Sequence, residues 1–323
     1  MQKKQKITKT KTKMIHQKEE HAGLHTPVLL SQVLAVLQPR AGESYLDLTA
    51  GYGGHAEAIV QHTNSPRQTV LVDRDKEAVS ALREKFGRSD IEIVHDDFYS
   101  ASQNLITHGK QFDLILADLG VSSPHLNIAS RGFSFRADGP LDMRMNQEQV
   151  LSAETIVNTY SQVKLAELIR LYGEDPKANK IADLIVRNRP IKTTNELAAI
   201  VARAWPGYHK LHPATRTFQA LRISVNDELE LLEASLPIWL QLLAPDGRIA
   251  IISFHSLEDR IVKRFLQERS GNQYDAVLQL ITKRPLSGDP QEIVSNPRAR
   301  SAKLRAAVKI NNKRKGNAHA DSG

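Results

Sequence analysis

The residues of this chain best placed to do chemistry are acids that close short apolar runs beside a glycine loop. Gly51-Tyr52-Gly53-Gly54-His55-Ala56 fits G-x-G-x-x-[GA] and directly follows Tyr45-Leu46-Asp47-Leu48. Glycines at that spacing let the backbone turn sharply from strand to helix and let a polar ligand approach the helix N-terminus. Alone the pattern also fits a plain strand-to-helix turn, but three features sharpen it. Asp47 lies inside the strand, where a carboxylate suits a ligand carrying an ammonium group. Asp73 ends the next apolar run, at the distance expected of an acceptor for ribose hydroxyls. Asp96-Asp97-Phe98 ends the third run and puts a polar and an aromatic group where an adenine could be flanked. Together they describe an adenosine-containing ligand across the carboxyl ends of three strands. Nicotinamide dinucleotide and S-adenosylmethionine both satisfy that description.

A fourth run, Phe112–Ala117, leads into Asp118-Leu119-Gly120-Val121-Ser122-Ser123-Pro124. A carboxylate and a tight turn at that mouth resemble the acid-then-proline loop of amino-methyltransferases, while a turn or helix-cap role for Asp118 is the competing reading. The chain has no cysteine. That excludes disulfides, thiolate metal sites and cysteine nucleophiles, including the covalent attack on the ring that methylation at pyrimidine carbon 5 requires. No metal-ligand set is expected.

The elements that must hold these residues follow an α/β grammar. Strands are expected at Tyr45–Leu48, Thr69–Asp73, Ile91–Val94, Phe112–Asp118, Arg248–Ser253, and near Leu278–Thr282 and Leu304–Ile310. Helical stripes separate them, at Val33–Leu37, Gly54–His62, Lys76–Phe86 and Leu229–Leu236, and a turn is expected at Pro245-Asp246-Gly247. Short β-branched runs alternating with helices indicate a parallel sheet, doubly wound by right-handed crossovers. From about residue 148 to 217 the pattern is helical only, with Thr194 read as an N-cap. One α/β domain interrupted by a helical insertion is the simplest parsing.

The 323 residues, 41% hydrophobic and 25% charged, suit a soluble globular protein. No run approaches a membrane span and no apolar segment backs the basic N-terminus, so the expected location is the cytoplasm. The formal net charge of +8 is uneven. Residues 1–18 carry seven lysines and residues 298–315 eight basic residues, with no acid in either. Those fifteen of the 44 basic residues leave 29 against 36 acids elsewhere, or −7. Basic ends on a mildly acidic body point to a polyanion, nucleic acid first, or for the N-terminal arm merely to solubility.

Longer blocks identify a resemblance. His25-Thr26-Pro27-Val28-Leu29-Leu30, the Asp47–His55 and Asp118–Pro124 segments, Arg131-Gly132-Phe133-Ser134-Phe135, Asp138–Met145, His212–Ala220, Ser253–Arg260 and Asn296–Ser301 are similar to the bacterial small-subunit (16S) ribosomal RNA (cytosine-N4)-methyltransferase family, over about residues 25–310. The resemblance implies a Rossmann-like class I methyltransferase fold with an inserted all-helical domain. It implies methyl transfer from S-adenosylmethionine to N4 of a cytidine in the decoding region, on small-subunit ribosomal RNA or the assembled subunit, by direct in-line transfer. It implies cofactor contacts at Gly53, Gly54, His55, Asp73, Phe98 and Asp118, with His125 where the family usually has a glutamine. Asp118 is the expected catalytic acceptor. On this reading residues 23–145 and 218–311 form the methyltransferase domain and 146–217 the RNA substrate domain. Residues 1–22 and 312–323 are basic disordered ends.

The remaining polar residues leave alternatives. Lys210, His212 and Arg216, with His209, form the densest basic stretch of the body and are expected to contact phosphate; Arg144 is a further substrate candidate. Asp142, Arg222, His255 and Asp259 either approach RNA or close the insertion onto the core. Glu258-Asp259-Arg260 reads equally as a solvated helical face. Phe133 and Phe135 are spaced to stack on bases if exposed, or to plug the core. Two other functions fit the glycine loop or the charge: a nicotinamide-dependent oxidoreductase, and a non-catalytic RNA-binding assembly factor. The oligomeric state is open.

Overall fold

The computed structural model describes residues 27–271 and 276–311, so the basic segments expected at 1–22 and 312–323 lie outside the described residues. Seven strands form one sheet: β1 (Tyr45–Asp47), β2 (Thr69–Asp73), β3 (Glu92–His95), β4 (Phe112–Asp118), β5 (Leu243–Ser253), β6 (Leu278–Leu280) and β7 (Lys303–Lys309). Their order is β3-β2-β1-β4-β5-β7-β6, with β1 to β5 parallel and β7 antiparallel to both of its neighbours. The chain winds outward in one direction through β2 and β3 and in the other through β4 and β5. A crevice therefore opens at the carboxyl ends of β1 and β4, where ligands of doubly wound sheets bind. The antiparallel β7 wedged between β5 and β6 departs from the order of a dinucleotide-binding sheet.

Four helices alternate with the first strands: α1 (Leu30–Leu37), α2 (Gly54–Thr63), α3 (Lys76–Phe86) and α4 (Phe98–Thr107). Between β4 and β5 come α5 (Ser123–Asn127), α6 (Ala153–Thr159), α7 (Gln162–Gly173), α8 (Ala178–Arg187), α9 (Thr194–Ala202), α10 (Ala214–Asn226) and α11 (Glu228–Leu242). The helix α12 (Ser256–Glu268) follows β5, and α13 (Pro290–Ser295) precedes β7.

Period-two alternation sorts the strand residues to two faces. Tyr45, Leu71, Leu114, Leu116, Ala250 and Ile252 pack with Val33, Leu37, Ile59 and Leu82 of α1, α2 and α3. Leu46, Val70, Val72, Ile115, Ala117, Ile249 and Ile251 pack with Leu105, Trp239 and Leu266 of α4, α11 and α12. Both faces being covered is why the strands read as continuous apolar runs. A third cluster, built on α6 to α10 from residues such as Ile156, Leu165, Ile181, Leu197 and Phe218, also takes in Phe133, Leu141, Met143 and Met145 from the segment after β4.

Local differences from the sequence expectations have simple causes. Thr193, not Thr194, caps α9: its side chain accepts from the Glu196 N–H and Glu196 reaches back, a capping box that two adjacent threonines disguise. The expected turn at 245–247 is an excursion within β5. Its ladder partners jump from Leu243 to Arg248 while β4 advances only from Phe112 to Leu114, and Asp246 takes a left-handed φ of 64°. Helix α10 runs straight through residue 217, so the helical stretch joins the following core as one continuous rod.

Candidate functional site

The glycine loop is shaped by contacts on its far side as much as by the crevice. Gly53 has φ 75°, and a Cβ there would sit 2.7 Å from the Phe86 ring of α3. It turns the chain, and its lack of a Cβ is what lets α3 pack against the loop. Gly54 does line the crevice, and a Cβ on it would strike Pro27 at 2.6 Å. Asp73 ends β2 and accepts from the backbone N–H of Gly51 (2.8 Å) and of Asp75 (2.8 Å), one on each carboxylate oxygen. It thereby pins the loop while its carboxylate still lines the crevice. Phe98 opens α4 and meets Trp239 edge to face at 5.5 Å. Asp97 is absorbed as the N-cap of α4, accepting from Tyr99 and Ser100.

Asp47 does not take the expected role. It is 1% exposed, accepts from the Tyr45 hydroxyl at 2.7 Å and from the Thr49 N–H at 3.2 Å, and is absent from the crevice wall. Burial pushes its carboxyl up to about 7. Tyr45 and Asp47 are two residues apart on one strand and so share a face.

The crevice has a volume of about 140 Å³ and is lined by Thr49, Gly54, His55, Asp73, Phe98, Asp118, His125, Glu258 and Arg298 among others. Asp118 ends β4, and its N–H donates to the Thr49 hydroxyl at 2.6 Å. Its Oδ1 is buried with no hydrogen-bond partner. Burial raises its carboxyl to about 7, with Asp47 and Glu258 adding to the rise and the Arg298 guanidinium opposing it. His55 stands opposite, its Nε2 3.7 Å from Asp118 Oδ2 and without a hydrogen-bond partner. Burial, then Arg298, lowers its imidazole to about 4, so it is neutral at physiological pH. Arg298 reaches in from the turn Pro297–Arg300 and donates to the Val121 carbonyl at 2.7 Å, fastening the loop that follows Asp118.

Around this pair the polar groups are tied to each other. His125 caps its own short helix through Ser122 and meets Asp75 with Nε2 at 2.5 Å, so both ring nitrogens face protein partners. Its ring lines the crevice while both nitrogens meet protein partners. Arg131, buried, donates to the same Asp75 at 3.1 Å and to the carbonyls of Arg144 and Met145. Burial opposes the charge on Asp75, but His125 and Arg131 outweigh it and hold the carboxyl below its usual value. On the other wall, Glu258 takes the N–H groups of Phe254 and His255 and lies 3.1 Å from His255 Nε2. Glu228, His255 and Glu258 bring ligand-type atoms within 4.8 Å of one another, and Arg222 supplies a cation there, bidentate on Glu228 at 2.8 and 2.7 Å.

Glu258 and Asp259 are both buried, so the solvated-face reading fails. Asp259 binds Arg305 at 2.7 Å and Lys303 at 3.1 Å from β7, partners that no helical periodicity could reveal. The basic count at 298–309 is correspondingly part of the fold: Lys309 Nζ, too, donates to the carbonyls of Leu240 and Leu243. Arg144 is held by Asp142 through two 2.8 Å bonds and donates to the Gln149 carbonyl. Phe133 is buried against His125, and Phe135 packs between His212 and Phe218, so both plug the core. None of Lys210, His212 and Arg216 lines the crevice; all three are exposed on the helical stretch. Arg216 donates to the Glu174 carbonyl at 2.8 Å, and Glu174 in turn accepts from Ser256 and Arg260 of α12. The sequence pattern missed Asp75, Arg131, Glu228 and Arg298 as members of the site. Arg131 and Arg298 carried a signal, as parts of the Arg131–Phe135 and Asn296–Ser301 blocks; Asp75 and Glu228 carried none.

Comparison with known proteins places this arrangement. Residues 22–310 match the family described as the MraW methylase family. A protein of Heliobacterium modesticaldum named ribosomal RNA small subunit methyltransferase H is 45% identical over 311 residues, covering 88% of this chain and 98% of the relative. Its namesake from Cyanothece sp. PCC 7425 is 46% identical over 301 residues, covering 92% and 98%. Neither the nicotinamide oxidoreductase nor the non-catalytic factor finds support beside these matches. On the family match and the identity across nearly its whole length, the chain belongs to the MraW methylase family.

Proposed function

We propose that the protein transfers a methyl group from S-adenosylmethionine to the N4 amine of a cytidine in small-subunit ribosomal RNA, in the cytoplasm, with Asp118 as the acceptor. The observation that carries this reading is the buried, unpartnered Oδ1 of Asp118 at the crevice mouth. The donor set suits the cofactor: Asp73 for a diol, Phe98 for the face or edge of an adenine, and Gly54 for close backbone approach, with His55 neutral beside the reacting centre. S-adenosylmethionine, when bound, supplies an electrophilic methyl on a sulfonium.

Cytosine N4 is a poor nucleophile because its lone pair is delocalised into the ring. Asp118 accepts a hydrogen bond from the amine, turns the lone pair toward the methyl and takes the departing proton at Oδ1. Arg298 favours the charged form of Asp118, and the apolar surroundings strengthen its pull on the amine. His55, uncharged, adds no positive field against a cationic cofactor. No covalent enzyme intermediate is needed, consistent with a chain that has no cysteine. The helical stretch 146–217 presents Lys210, His212 and Arg216 to the RNA, and residues 23–145 and 218–311 carry the chemistry.

Mass spectrometry of small-subunit RNA tests the reading. A deletion strain should lose N4-methylcytidine, the intact gene should restore it, and Asp118→Asn should not. Normal N4-methylcytidine in the deletion strain would refute the substrate, and full restoration by Asp118→Asn would refute the acceptor.

A further inference from the structure

The loop 203–213, between α9 and α10, treats its aromatic rings unequally. Trp205 has the Lys177 ammonium 3.9 Å from its ring centre and the edge of His209 at 5.5 Å. His212 lies against Phe135 at 4.6 Å. Tyr208, by contrast, is 95% exposed, and among the described residues no other Phe, Tyr or Trp is exposed. Among the described residues every other aromatic ring is at least partly covered, while this one stands in water, although stacking it would be favourable.

The electrostatic setting selects the partner. From Leu197 to Asn226 the sequence has no acid and carries Arg203, Lys210, Arg216 and Arg222 with His209 and His212. Arg222 is committed to Glu228, but Arg203, Lys210 and Arg216 are exposed around the loop. A second copy of the same loop would bring like charges together. A polyanion with flat, unpaired rings satisfies both features at once.

We propose that Tyr208 is a stacking platform for an unpaired base of single-stranded RNA, with Arg203, Lys210 and Arg216 holding the flanking phosphates. The inference rests on the RNA substrate proposed above and deepens it: it assigns the recognised feature to unpaired, splayed bases rather than to a helix groove.

Fluorescence anisotropy on the full chain tests it, with an oligocytidylate of about 12 nucleotides, within the range of such sites, and a duplex of the same length. Tyr208→Ala should weaken single-strand binding about 5- to 150-fold, the worth of one base–aromatic stack. Tyr208→Phe should keep wild-type affinity, since it keeps the ring. Duplex binding should be equal in all three proteins. Lys210→Ala, but not Tyr208→Ala, should flatten the dependence of binding on salt. Wild-type single-strand affinity in Tyr208→Ala would overturn the proposal, as would an equal loss in Tyr208→Phe or on the duplex. So would a dimer lost in Tyr208→Ala while RNA affinity stays unchanged. Methylation of small subunits from the deletion strain by the same wild-type preparation separates the two readings. If it proceeds while Tyr208→Ala binds normally, only the platform falls. If it does not proceed, the substrate reading falls whatever Tyr208 does.

Discussion

Asp47 and Asp118 end neighbouring strands, β1 and β4, and burial raises both carboxyls to about 7. Their surroundings differ in one respect. Asp47 accepts from Tyr45 and from the Thr49 backbone and is sealed from the crevice, whereas Asp118 keeps a buried Oδ1 with no partner and borders the crevice. The same desolvation therefore has two outcomes. Where the protein supplies donors, a raised carboxyl is architecture that locks a loop. Where it withholds them, the carboxyl holds unspent hydrogen-bonding capacity for a ligand. A perturbed carboxyl does not by itself mark a catalytic group; what sets Asp118 apart is a missing partner together with a place on the crevice wall.

Exchanging the roles should break that contrast. The largest effect is expected for Asp118→Asn, a loss of about 10²- to 10⁴-fold in turnover with cofactor affinity retained, read by single-turnover methylation and calorimetry. Its stability should move the other way. Asp118 goes from 3.8 unfolded to about 7 folded, so its ionisation costs stability as pH rises from about 4 to 7, and the cost is complete above 7. Asp118→Asn should therefore melt higher than wild type at pH 8, with the difference closing toward pH 4. For Asp47→Ala, read near pH 4 where the buried carboxyl is neutral, the expectation is reversed: a loss of about 1–3 kcal/mol in denaturant unfolding from an orphaned Tyr45 hydroxyl and Thr49 N–H, with turnover per folded molecule unchanged. Removing the cation is a finer probe. Arg298→Met should move the acidic limb of the pH–rate profile to higher pH, because Asp118 loses its favourable charge while Asp47 and Glu258 still oppose ionisation. Arg298→Lys should restore most of the shift; an unmoved limb would mean Arg298 only fastens Val121. The smallest effect is expected for Tyr45→Phe, about 1 kcal/mol and no change in the pH profile.

How legible this was depended on the distance between partners. The strands, the glycine loop and the positions of Asp73, Phe98 and Asp118 follow from short apolar runs and what ends them. The fate of Asp47 was also local: Tyr45 sits on the same strand face, and the i,i+2 pair was the signal. Arg298 reaches Asp118 from a segment 180 residues away, and Asp259 finds Lys303 and Arg305 on an antiparallel strand. No periodicity encodes such contacts, so the buried acids of α12 read as solvated. Arg222 and Glu228 meet across the left-handed Asp227 that separates α10 from α11, a break invisible in an otherwise helical text. Basic residues in the last strand looked like an arm for the same reason.

The account turns on Asp118 acting as an ionised acceptor. Single-turnover methylation of small subunits from the deletion strain, followed from pH 5 to 9 at saturating cofactor, tests this most directly. The wild-type rate should rise with pH and level off past an apparent pKa near 7, while Asp118→Asn stays slow and flat across the range. A variant that matches wild type, or one that keeps the same rising limb, would contradict it.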